Sequence, residues 1–269
     1  MKKSTHHEDK SLKTFFFYTI LVVFLLIVAL SIKFFFIVKT SKYDGQHHFT
    51  LVIVKNHVVE ELIGFTPSNS SVSVLRVTKA VQQSNLGKLL GIVPDATIQT
   101  DSSFPEGPDV GYTMTKAIWQ FNMTKTNLTI FDELRLMIFA KNTSSNNVTY
   151  KSVAFPQKED QIDTTVASLF TDDVISQENT SIQIINATNT SGLGQRLERV
   201  LVNMGANVIA VSTSPRIAAT SKIQYYGNKT YTQQKISQLL GFPQEELLKQ
   251  PIANIVITLG EDQSDPKIF

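Results

Sequence analysis

The sequence predicts an α+β protein: an N-terminal transmembrane helix, then two α/β ectodomain units, the second with the element order βαββαβ. Three observations carry this. Phe15 to Ile32 is a run of 18 residues without a charge. Short β-branched runs and helical stretches share residues 49–140. Residues 182–259 hold four short strands and two amphipathic helices, each helix closed by a glycine.

The transmembrane helix is read over residues 14–38, behind a tail of residues 1–13. Lys33 interrupts the apolar run and Phe34 to Val38 resumes it. At 1.5 Å per residue, residues 15–38 reach roughly 36 Å, enough for a bilayer core of about 30 Å. Lys33 is close enough to the far interface to snorkel. Lys2, Lys3, Lys10 and Lys13 precede the run and place that end in the cytoplasm, with the bulk of the chain outside. A cleaved signal peptide would have a shorter apolar run and a small-residue cleavage site, whereas this one leaves through Phe34-Phe35-Phe36-Ile37-Val38-Lys39. The expected localisation is a single-pass cell-membrane protein with a signal anchor.

Thr40 to His48 reads as a polar juxtamembrane linker. The first unit is expected over residues 44–175. Phe49–Val54, Val58–Ile63 and Val72–Val77 are strand-like, and Thr66–Ser70 is a turn. Val81–Ile92 is read as a helix stopped by Pro94, and Ala96–Thr100 as a strand. Thr113–Phe121 is a helix with Met114, Ile118 and Phe121 inward. Leu128–Ala140 is another, with Leu128, Phe131, Leu134 and Ile138 inward. Ser, Thr and Asn crowd residues 142–149, and Gln177–Thr180 has linker chemistry.

The second unit is expected over residues 180–262, followed by a tail of residues 263–269. Its strands are Ile182–Ile185, Val208–Val211, Ile223–Tyr226 and Ile255–Leu259. Its helices are Gly192–Met204 and Tyr231–Leu240, capped by Gly205 and Gly241. Because strand and helix do not alternate throughout, a mixed or antiparallel sheet with helices on one face is expected.

Composition narrows the function. The hydrophobic fraction is 42 % and the charged fraction 18 %, which is globular. Net charge is +2, but residues 1–42 hold seven lysines against Glu8 and Asp9. The remainder has 18 basic and 21 acidic residues, from 25 and 23 in the whole chain. A mildly acidic body offers no footprint for nucleic acid. The chain has no cysteine, which excludes disulfides, thiolate metal sites and a Cys nucleophile.

The segment IQIINATNTSGLGQRLERVL, Met204–Val208, Ile223–Tyr226, Leu239-Leu240-Gly241 and the closing IVITLGED together resemble the C-terminal domain of LytR-type cell-envelope proteins. The preceding segment resembles a shortened, degenerate LytR–CpsA–Psr domain, through FTLVIV, the turn at Pro67 before SVSVLRV, and LGKLLGI before Asp95. The second resemblance implies transfer of glycopolymers from a polyprenyl pyrophosphate carrier. That family's Arg-Ser-Asp-Thr-like and Pro-Arg-Asp motifs are missing here, so the expectation is a non-catalytic envelope protein. The alternative is a transferase with an altered site built on Arg76, Asp95 and Asp101.

Gly192-x-Gly194 follows a strand and opens a helix, but Leu197 occupies the third glycine position of a dinucleotide fingerprint. A helix start can still hold a small anion, so Asn186, Thr190, Ser191, Gly192 and Gly194 form the candidate ligand site. Asp95, Asp101, Glu106 and Asp109 read as solvated loop carboxylates, and His47, His48 and His57 as solvated residues without zinc spacing. No cofactor and no metal are expected. The expected partners are the membrane, a cell-wall glycopolymer or peptidoglycan, and an envelope protein.

Overall fold

The computed structural model describes residues 8–100, 109–120, 124–155, 157–249 and 251–263. It divides into two compact units, residues 1–41 and 42–269. The first is a helix, α1 (Glu8–Lys39), one turn and more longer at its start than the apolar run. It is long and apolar enough to cross a membrane. Its hydroxyls turn inward on the backbone: Thr19 donates to the Phe15 carbonyl at 2.9 Å and Ser31 to that of Ile27 at 2.8 Å. These bonds leave no polar hydrogen at either site for a lipid environment to satisfy.

The second unit contains two sheets. The first has the strand order β5-β4-β1-β2-β3-β6, from β1 (Phe49–Lys55), β2 (Val58–Thr66), β3 (Ser71–Gln82), β4 (Ala96–Thr100), β5 (Lys125–Thr126) and β6 (Val148–Val153). β2 pairs antiparallel with β1 and β3, while β1–β4 and β3–β6 are parallel. Both faces are covered. Leu51, Ile53, Ile63, Phe65 and Val74 pack with Met114 and Ala117 of α3 (Val110–Trp119) and Leu136 of α4 (Ile130–Asn142). Val52, Val54, Leu62 and Leu75 pack with Leu86 and Leu90 of α2 (Leu86–Leu90) and Ile162, Val166 and Leu169 of α5 (Glu159–Phe170). Burial on both sides explains why Leu51 to Val54 of β1 is apolar throughout instead of alternating.

Five expectations need correction. β3 runs on to Gln82, so only Leu86–Leu90 of the expected helix 81–92 is helical. The polar stretch 142–149 leads directly into β6, which pairs at the sheet edge. Of the segment read as linker, Gln177–Thr180, the first two residues close α6 (Asp173–Glu178), and only Asn179 and Thr180 separate that helix from the next strand. The expected linker is anchored, with Tyr43 and His48 buried while Lys42, Asp44 and Gln46 stay exposed. Finally, α4 is rotated from the expected face: Asp132, Glu133 and Leu136 are buried, whereas Leu134 and Ile138 are exposed. Asp132 faces inward because its carboxylate closes a capping box with Thr129 and accepts from two backbone N–H groups of the incoming chain. Phe121, expected to point inward, lies outside the described residues.

The second sheet has the order β10-β9-β11-β7-β8, from β7 (Ser181–Asn186), β8 (Asn207–Thr213), β9 (Lys222–Tyr225), β10 (Gln244–Glu246) and β11 (Ile255–Leu259). It is mixed, as expected, with one short strand, β10, beyond the expected four. β7 is parallel to β8 and β11, and β9 is antiparallel to β11. One face, with Ile182, Ile184, Ile223, Ile255 and Ile257, packs on α7 (Leu193–Asn203) and α8 (Tyr231–Leu240). Leu193, Leu197, Val200 and Leu201 are the buried stripe of α7.

Candidate functional site

The turn from β7 to α7 is built by its own side chains. Asn186 Nδ2 donates to the Thr190 carbonyl at 2.9 Å, and Asn186 Oδ1 accepts from the N–H and hydroxyl of Thr188. Thr188 Oγ1 in turn accepts from Thr190 N–H. The turn is tied to the end of β11 by Ala187 N–H on the Leu259 carbonyl and by Asn189 on Glu261. Gly192, at φ +79°, is the helix N-cap and contributes no side chain, and the space its Cβ would enter is empty to 4 Å. A Cβ on Gly194 would meet Val211 Cγ1 at 2.9 Å, so this glycine sets how closely α7 approaches β8. The turn therefore leaves the start of α7 without a side-chain cap, a geometry that accepts a small anion or a hydroxyl. Of the five residues read from the sequence, Asn186 braces this turn and Gly192 leaves it open.

Of the residues of the alternative site, Arg76 and Asp95 are described, and these two lie apart. Arg76 sits inside β3, not at its end, and donates through Nε to Glu61 Oε1 at 2.8 Å across the β2–β3 pair. Asp95 precedes β4, with β1 and β2 lying between it and β3, so roughly 14 Å of sheet separates the two. Asp95 is bound on both oxygens: Oδ2 accepts from Thr50 N–H at 2.8 Å and Oδ1 from Lys235 Nζ of α8 at 2.6 Å. Asp101 and Glu106 lie outside the described residues, and Asp109 caps α3. A cleft of about 700 Å³ near this edge, lined by residues including His57, Gln82, Leu86, Ile92 and Pro94, carries no Arg, Lys, Asp or Glu among the described residues. No group of His, Asp and Glu among them could hold a metal ion.

Residues 179–262 match the family model described as LytR cell envelope-related transcriptional attenuator. The matched segment coincides with the C-terminal resemblance read from the sequence. It does not extend to residues 44–175. A solved structure, the transcriptional regulator yvhJ from Bacillus subtilis, is similar at 13 % identity and a TM-score of 0.30, over 40 % of this chain and 83 % of its own. No curated protein matches the chain.

The LytR-type segment is joined to the first sheet by polar contacts that sequence alone did not suggest. Arg199 of α7 donates to both oxygens of Asp163 in α5, at 2.8 and 2.9 Å, and to the carbonyls of Lys88 and Leu89. Asn203 donates to the Gly91 carbonyl at 3.0 Å. On the other side, the His47 ring stacks on Tyr231 with centroids 3.9 Å apart, and Tyr231 donates to Asp172 Oδ2 at 2.9 Å. Burial and the neighbouring Asp172 carboxylate hold the Tyr231 phenol well above its ordinary range. His48, read as solvated, is buried between Thr50 and Thr66, and burial pushes its pKa down. Lys235 Nζ also donates to the His48 carbonyl, 187 residues away in the chain, and no local pattern announces such partners.

Proposed function

We propose that this is a membrane-anchored, non-catalytic envelope protein whose LytR-type domain binds a cell-wall component at the open start of α7. The observation that carries the reading is the family match over residues 179–262, a domain type related to the cell envelope. The apolar helix α1 supports a single-pass anchor, and the lysines before it support a cytoplasmic N-terminus with residues 42–269 outside. The engagement of Arg76 by Glu61 and of Asp95 by Lys235 supports a binding role over an altered transferase. A pyrophosphate needs several free cationic contacts or a metal.

The test is retention of purified residues 42–269 on isolated bacterial wall. We expect binding above that of an unrelated domain of similar charge. Gly192→Asp uses a residue type that enters the left-handed region more readily than most and places a carboxylate at the helix start, and it is expected to abolish retention in a variant that still folds. Retention equal to the control domain's sinks the wall-binding reading. Retention unchanged by Gly192→Asp moves the site elsewhere on the unit.

A further inference from the structure

The apolar residues that α4 leaves outside form a stripe. Ile130, Leu134 and Ile138 are 49 %, 42 % and 48 % exposed. Their spacing of four puts them on one face along about 12 Å of helix. α3 runs antiparallel beside α4, since a Cβ on Gly111 at the start of α3 would meet Lys141 near the end of α4. Trp119 closes α3, at the Ile130 end of the stripe, and is 84 % exposed. Single exposed apolar side chains are ordinary, but a stripe with an adjoining tryptophan marks an interaction surface.

What covers it follows from where the chain enters this unit. The N–H groups of Lys42 and Tyr43 both donate to Asp132 Oδ1 at 3.0 Å. Arg135 Nη1 donates to the Tyr43 carbonyl at 2.7 Å. Asp132 and Arg135 lie in the same opening turns of α4 as Ile130 and Leu134, with Asp132 on the opposite, buried face. α1 ends at Lys39, so three residues, at most about 10 Å of chain, lead from the apolar helix to this clamp. The headgroup layer on each side of a bilayer core is itself roughly 5–8 Å deep. The charges agree. The acids of α4, Asp132 and Glu133, are buried, whereas Lys125 and Lys141 of the same hairpin are exposed. Exposed lysines beside apolar residues suit an anionic lipid surface.

We propose that the α3–α4 hairpin lies on the bilayer that α1 crosses, with Ile130, Leu134, Ile138 and Trp119 at the boundary of headgroups and acyl chains. The inference rests on the anchor reading of α1.

The chain has one tryptophan and no cysteine, which makes the test direct. The full chain is reconstituted at low density in vesicles of phosphatidylcholine and phosphatidylglycerol carrying brominated acyl chains. Leu134→Cys, and separately Val202→Cys on the exposed side of α7, is labelled with an environment-sensitive fluorophore. We expect at least a twofold quenching of Trp119 and of the label at position 134, and none at 202. Ile130→Ser combined with Ile138→Ser should restore the Trp119 signal with the circular dichroism spectrum unchanged. A chain that resists carbonate extraction, yet leaves both probes unquenched, overturns the docking while keeping the anchor. Loss of the chain from the vesicles in carbonate overturns the anchor reading and the docking with it. Energy transfer between labelled copies that grows with density would show a second copy on the stripe, and would also overturn the proposal.

Discussion

Lys235 Nζ of α8 lies 2.6 Å from Asp95 Oδ1 ahead of β4, with 140 residues of chain between them. Both side chains are largely shielded from water. Removing one partner of such a pair leaves the other charge stranded, at a cost of about 3–5 kcal/mol when burial is complete and less here. Lys235→Met and Asp95→Asn should therefore each destabilise residues 42–269, and the double variant should lose less than their sum. A urea double-mutant cycle measures this, and strict additivity would mean that the two do not interact.

Arg199 is a fork that no lysine reproduces. It serves Asp163 and two backbone carbonyls at once. Arg199→Lys is expected to cost nearly as much as Arg199→Ala, on the order of 2 kcal/mol. It should also raise hydrogen exchange in α2 and α5, where its partners lie. Full stability in the lysine variant would show that charge alone suffices.

Glu133 is buried in α4 and neither of its carboxylate oxygens has a hydrogen-bond partner. Burial, helped by the neighbouring Asp132, raises its pKa from 4.5 to about 7. Between those values the folded chain holds a proton that the unfolded chain has released. Stability from this group therefore falls as pH rises through that window and levels off above it. Glu133→Gln should flatten this slope and stabilise the unit at about pH 8 more than at about pH 5, as read from urea midpoints. Equal effects at both would place the charge elsewhere.

Leu197 and Leu201 are fully buried in the α7 stripe, and Leu→Ala at either should cost about 2–5 kcal/mol. Gly260→Ala should be at least as damaging, because the new Cβ would meet the Thr220 backbone at 2.5 Å and backbone does not step aside. Thermal melts of the three variants check the ranking, and a silent Gly260→Ala would contradict the close approach of these two segments.

Wherever one periodicity dominated, the elements were legible in the sequence. Tyr231–Leu240 and Ile255–Leu259 fall where the pattern put them. α7 differs by a residue at each end. The same logic failed for α4, where the period was right and the face wrong. A carboxylate needed to receive the Lys42 and Tyr43 N–H groups outweighed the burial of Leu134 and Ile138, and hydropathy has no record of such a partner. α5 was missed because its buried residues, Ile162, Val166, Leu169 and Phe170, are set among Asp, Thr and Ser. Of the candidate ligand turn, the glycines could be read locally. The bracing by Glu261 could not, since Glu261 is 72 residues away from Asn189.

β11 follows every other strand in the chain yet stands between β9 and β7 in space. A chain synthesised from its N-terminal end delivers this strand after all the others. Until residues 255–259 leave the ribosome, β7 and β9 each present a bare edge where β11 will lie. The second sheet can therefore close only at the end of synthesis, and those two edges stay open longest to a wrong partner.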